Sequence, residues 1–163
     1  MELPEMKKLM PDIFEEVKKL VYSSIGRKRA GLMLGLSELG IHNGFYIGAY
    51  HILTSNYIIM NKTPLYLLKN KPPDTIHGYI FHLLLHEYIH TIGVVDERAC
   101  RQLTYELSKK QFGDNHIITF LAAGGMEQLF PEIIHAPTDF RNPTEPKIEL
   151  VYGFDRSSAN YFS

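Results

Sequence analysis

Residues 76–92 constrain this chain more than any other stretch. Ile76, Ile80, Phe81, Leu83, Leu84, Leu85, Ile89 and Ile92 make the segment apolar nearly all round, and a helix of that kind sits inside a core. Yet the run closes on His86-Glu87-Tyr88-Ile89-His90. Histidines and a carboxylate at adjacent buried positions are costly unless paired or metal-bound. Residues four apart on an α-helix share a face, with Cβ atoms about 5–6 Å apart, so His86 and His90 can grip one ion from successive turns. Glu87 is rotated about 100° from His86, which lets it reach a water on that ion without being a ligand. Two imidazoles on zinc and a carboxylate that takes the water's proton are the parts metal-assisted hydrolysis needs. The bland alternative, two core histidines flanking a chance glutamate, leaves the burial cost uncompensated.

A third protein ligand is sought just downstream. A straight helix would carry residue 96 or 97 about 9–10 Å along the axis from His90, too far to share an ion. Gly93 is suited to end the helix in a left-handed conformation and turn the chain back. After such a turn Asp96 can return its carboxylate as the expected third ligand. Its neighbour Glu97 is the rival, and either acid also suits a helix N-terminus electrostatically.

The pattern His86-Glu87-x-x-His90-x-x-Gly93-x-x-Asp96 resembles the extended zinc signature of metzincin-like zincins, in the variant where aspartate replaces the third histidine. Snapalysin-type peptidases and the small bacterial "minimal zincin" families are similar. The resemblance covers about a dozen residues and implies zinc, peptide-bond hydrolysis and an extended peptide substrate. Asp96-Glu97-Arg98-Ala99 also resembles gluzincins, whose third ligand is a glutamate on a following helix, although that glutamate usually lies further downstream.

Composition excludes several classes. A chain of 163 residues with 45% hydrophobic and 21% charged residues and a formal charge of −1 suits one domain with a real core. It is neither a nucleic-acid polycation nor a disordered acidic tail. The basic run Arg27-Lys28-Arg29 reads as a solvated face. Cys100 is alone, so no disulfide forms within the chain, which fits a reducing cytoplasm; it reads as a half-buried helix residue, not a nucleophile. The start Met-Glu-Leu-Pro-Glu lacks the pattern of a signal peptide, and the longest apolar stretch carries histidines and a glutamate, unlike a membrane span.

In order, Ile13, Val17, Leu20 and Val21 predict a helix over about 11–23 that Gly26 ends. Residues 30–36 read as a buried strand, and 45–51 and 57–61 as two further strands that pair as a hairpin or as sheet neighbours. One of those two is the expected rim of the cleft, where an extended peptide adds by main-chain hydrogen bonds. His51 and Asn61 read as strand-end capping residues. Asp74 is the expected N-cap of the motif helix, His77 an exposed first-turn residue and His82 a cleft-lining group. His82 and His90 lie about 12 Å apart along the axis, too far for one ion. Helices are predicted over about 96–112 and 115–123. Met126, after Gly124-Gly125, is comparable to the methionine turn of metzincins, although ordinary core packing explains it better. From Pro131 the chain reads as an irregular tail with a short strand over 147–152. His135, Arg141 and Tyr152 are the candidate oxyanion donors. A tail lying in the cleft, with Asp139 or Glu145 near the ion, is a further expectation.

The whole is an expected α+β zincin-like domain over 1–163. Its small twisted mixed sheet packs on the active-site helix, with sheet and helix in 1–92 and a mainly helical part with an irregular tail in 93–163. His86, His90 and Asp96 are the expected zinc ligands and Glu87 the general base, in a cytoplasmic metallopeptidase that needs neither nucleic acid nor membrane. The alternative is a metal-dependent endoribonuclease of the rRNA-maturation type, whose similar H-x-x-x-H-x-x-G frame carries Gly at the position of Glu87 and a third histidine where Asp96 stands. A zinc-binding protein without turnover is the third reading.

Overall fold

The computed structural model describes residues 1–129, 131 and 147–159. It is a mixed α+β fold, with a four-stranded mixed sheet and several helices.

The chain opens with α1 (Leu3–Ile25), which starts earlier than its predicted bounds. Met6 and Met10 extend the apolar stripe of Ile13, Phe14, Val17, Leu20 and Val21 one further face-length toward the N-terminus, and all are buried. Pro4 falls in the first turn, where its missing N–H has no helical partner to lose. Gly26 ends the helix at φ 68°, as its position suggested.

Strand β1 (Met33–Ser37) is followed by a loop, then β2 (Ala49–His51) and β3 (Tyr57–Asn61). The predicted strand over 45–51 survives only in its last three residues, with an isolated bridge between His42 and Phe45 before it. The sheet order is β2-β3-β1-β4, with β3 parallel to β1 and both edges antiparallel. Asn61 is not a surface cap. It is fully buried, and its side chain bonds Leu39 N–H, Gly40 O, Ile47 O and Thr63 N–H. It thereby joins three segments and caps α2 (Lys62–Leu68), a helix the sequence reading did not anticipate.

The motif helix is α3 (Pro73–Thr91). Its N-cap is Pro72, with Pro73 in the first turn, so Asp74 lies inside the helix and does not cap it. α3 packs against α1, α4, α5 and β2, which is why its residues are buried on nearly every face. Arg29, expected in a solvated run, holds its C-terminal end. Its guanidinium donates to Thr91 O (2.8 Å), Ser55 O (3.0 Å) and Asn56 Oδ1 (2.8 Å). A cation there suits the negative end of the helix dipole.

Three helices follow: α4 (Glu97–Phe112), α5 (Ile117–Ala122) and α6 (Met126–Leu129). The predicted tail strand is β4 (Glu149–Leu150), paired with β1 at the sheet edge opposite β2, and α7 (Arg156–Ala159) comes after it. This segment belongs to the core. Phe154 stacks on Phe14 at 4.1 Å, and the buried Asp155 accepts from Lys18 (2.9 Å) and Leu32 N–H (3.0 Å). Residues Asp139 and Glu145 lie outside the described residues. Among the described residues no helix is long and apolar enough to cross a membrane.

Candidate metal centre

The helical spacing of four brings His86 and His90 together as expected, with ring centroids 4.9 Å apart. Both Nε2 atoms point at one carboxylate, that of Glu97: 2.9 Å from His86 to Oε1 and 3.1 Å from His90 to Oε2. Asp96 does not make this approach. It is the N-cap of α4, and its carboxylate accepts the Ala99 N–H at 2.8 Å. The turn after α3 explains the exchange. Gly93 takes φ 111°, Val94 N–H closes on Ile89 O (3.3 Å), and the next helix begins with residue 97 on the side facing the histidines. The cap requires an acceptor one residue earlier, and Asp96 supplies it.

The hydrogen bonding of His90 says what the pair lacks. Nδ1 lies 2.8 Å from Val94 O; a carbonyl only accepts, so Nδ1 carries the proton. In a neutral imidazole that leaves Nε2 with a lone pair facing the Glu97 carboxylate, itself an acceptor. The contact requires a proton or a cation between the two atoms. This donor set of two imidazoles and a carboxylate fits a divalent metal ion. The fixed Nδ1–H···O=C bond is the kind of outer contact that orients a ligating histidine.

Cys100, one turn further along α4, was not expected at the site. His86, His90 and Cys100 each offer a ligand atom, all within 4.8 Å of one another, and could hold a metal ion. The Sγ donates to His86 O at 3.2 Å, and burial pushes the thiol up to about 12. The signal was available in the sequence. Residues 97, 100, 101 and 104 share one face of α4, so any helix that brings Glu97 to the histidines brings Cys100 with it.

Glu87 is 5% exposed, and burial raises its carboxyl to about 7 against the opposing pull of the His90 imidazole. It also accepts the backbone N–H of His51. That contact is set by the register of β2. Asn61 N–H donates to Gly48 O and Ile52 N–H to Tyr57 O, so the even-numbered residues turn their backbone to β3. Ala49 and His51 turn theirs outward. The outward N–H of His51 goes to Glu87, which leaves the Ala49 backbone pair along the edge. Gly48 permits the close approach, since a Cβ there would lie 2.9 Å from Leu83 Cδ2 on α3.

Between β2, α3, α4 and α5 lies a cleft of about 310 Å³, lined by His86, Glu87, Glu97, Ala49, His82 and Met126, among others. His82 has its expected place in the wall. Burial, with the neighbouring His86, lowers its imidazole to about 4, so it stays neutral. Burial likewise lowers His86. For Glu97, burial pushes upward, but the His86 and His90 imidazoles and Arg101 outweigh it and hold the carboxyl below its usual range. Met126 is half-buried and packs against the core as well as lining the cleft. Tyr152 is displaced from its expected role: it is 88% exposed, just past β4 at the far edge of the sheet. His135 and Arg141 lie outside the described residues. His77 is a partly exposed residue 3.2 Å from Glu16.

No family model matches the chain, and no curated protein or solved structure does.

Proposed function

We propose that the chain is a zinc-dependent metallopeptidase of zincin-like architecture, with His86, His90 and Glu97 as the protein ligands. The observation that carries the proposal is the convergence of both Nε2 atoms on the Glu97 carboxylate, with the tautomer of His90 fixed by Val94 O. Zinc bound there would supply Lewis-acid polarisation of a carbonyl and a water. Glu87, adjacent to His86 in sequence and in the same cleft, accepts the proton of the attacking water and returns it to the leaving amine. His51 N–H holds its carboxylate against the edge strand.

The substrate is an extended peptide. β2 is an edge strand on the cleft, and its outward Ala49 N–H and C=O provide the main-chain pairing that strand addition uses. The Cys100 Sγ is turned to His86 O, and with Glu97 as the third protein ligand one coordination position would remain open, as turnover needs. The test is wild type against Glu87→Gln on peptide and RNA substrates, with zinc content measured on both. Peptide cleavage lost in Glu87→Gln while zinc is retained is the expected result. RNA cleavage would replace the reading with the nuclease, and zinc without turnover on either substrate would leave a binding protein.

A further inference from the structure

A second concavity, about 600 Å³, opens onto the same cleft and shares Glu97, Arg101 and Ala122 with it. Its floor is the exposed face of α4, with Arg98, Gln102 and Tyr105 added to the shared residues. Four observations distinguish it from an ordinary solvated helix face. Arg98 lies in the first turn of a 16-residue helix, where a cation opposes the helix dipole. Among the described residues Arg98 has no ion-pair partner. Arg101 is tied to Glu97 through Nε at 3.1 Å, with its side chain 75% exposed, and among the described residues its terminal nitrogens have no acceptor. Among the described residues Glu97 is the only acid lining the basin, and it is engaged by the two histidines.

From this we infer that the basin is an anion subsite of the cleft, in which Arg98 and Arg101 bind a carboxylate of the substrate peptide, an acidic side chain or the chain terminus. The inference rests on the peptidase reading for the identity of the substrate. Guanidinium groups match a carboxylate by paired N–H···O bonds. A carboxylate is preferred to an RNA backbone because two arginines serve one anionic group, whereas a strand needs a longer basic track, and the chain has a net charge of −1.

The experiment reads binding, so that it does not depend on turnover. Zinc-loaded Glu87→Gln protein is titrated with fluorescein-labelled hexapeptides that differ by one Glu-for-Gln exchange at each position, and with a C-terminally amidated set. At one position or at the terminus the carboxylate should tighten Kd by about tenfold, the effect of one charge-assisted hydrogen bond. Adding Arg98→Gln should remove most of that gain and leave the neutral peptide's Kd unchanged. Arg98→Glu should reverse the preference toward a lysine peptide, an outcome that a merely structural Arg98 would not give. Equal affinities for acidic and neutral peptides overturn the inference, as does a preference that persists in Arg98→Gln or displacement of the acidic peptide by micromolar oligouridylate. Wild-type protein that binds acidic peptides through Arg98 without cleaving any would sink the peptidase reading alone.

Discussion

The imidazole of His90 and the carboxylate of Glu97 face each other across 3.1 Å while the other ring nitrogen of His90 donates to Val94 O, so a proton or a cation must lie between them. That relationship separates the two acids at the start of α4. Glu97→Ala should reduce zinc affinity by about 100-fold or more, by loss of one of three protein ligands. Asp96→Ala should leave zinc stoichiometry at one and lower stability by about 1 kcal/mol through loss of the N-cap. Chelator competition and urea melts on both variants decide it; zinc lost in Asp96→Ala and kept in Glu97→Ala would reverse the assignment.

Cys100 offers a sharper check on coordination. With its Sγ turned to His86 O, Cys100→Ala should retain zinc within a few-fold of wild-type affinity and, on the proposed reading, keep peptide cleavage. Cobalt-substituted protein should show no thiolate-to-metal charge-transfer band near the ultraviolet. Such a band, abolished by Cys100→Ala, would make the cysteine a ligand.

Arg29 ties the end of the motif helix to the β2–β3 turn through Thr91 O, Ser55 O and Asn56. Arg29→Met keeps much of the aliphatic stem and removes the donors. It should cost about 2–3 kcal/mol, the range expected for charge-assisted bonds and the acceptors they leave unpaired. A denaturant melt measures this, and a change within 0.5 kcal/mol, the scale of an ordinary surface substitution, would return Arg29 to that class.

Gly93 adopts φ 111° in the turn that delivers Glu97. Among the described residues a Cβ would meet only the Arg27 guanidinium at 3.9 Å, so the penalty of Gly93→Ala is backbone strain and not crowding. It should cost about 1–3 kcal/mol and weaken zinc binding, because relief of the strain moves α4 relative to α3. Isothermal titration with zinc checks the second part, and unchanged affinity would uncouple the turn from the site.

Acid should loosen the attachment of the C-terminal segment. Although burial opposes it, the Lys18 ammonium and the Leu32 and Ser157 N–H groups hold the Asp155 carboxyl below its ordinary value. A depressed folded value means the carboxylate's stabilisation is fully present above the unfolded value of about 4 and is lost as pH falls through the folded one. Lys18 is raised despite the opposing effect of burial, through Asp155 and Glu15, so its share persists until strongly alkaline pH. Asp155→Asn should lose about 1.5–3 kcal/mol at pH 7 and show a shallower decline in stability below pH 4 in urea melts. Parallel pH profiles for the two proteins would contradict this.

The described residues 147–159 belong to the fold. Those residues include β4, Phe154 and Asp155, which complete the sheet edge and the core against α1.

Local sequence determined the parts of this protein that depend on helical or strand period. The spacing of four aligned His86 with His90, the apolar girdle buried α3, and the residues 57–61 formed a strand with the bounds read from them. Gly26 and Gly93 marked the turns because positive φ excludes most other residues. Tertiary structure decided whatever depended on two segments meeting. One dimension does not say which of Asp96 and Glu97 faces the histidines; the N-cap geometry of α4 and the direction in which it leaves the turn bring Glu97 there. Asn61 and Arg29 looked like surface polar groups because their partners at Gly40, Ile47, Thr91 and Ser55 are distant in the chain or set by its folding. Short-range periodicity reports which face a residue occupies; only the packed chain reports what lies opposite that face.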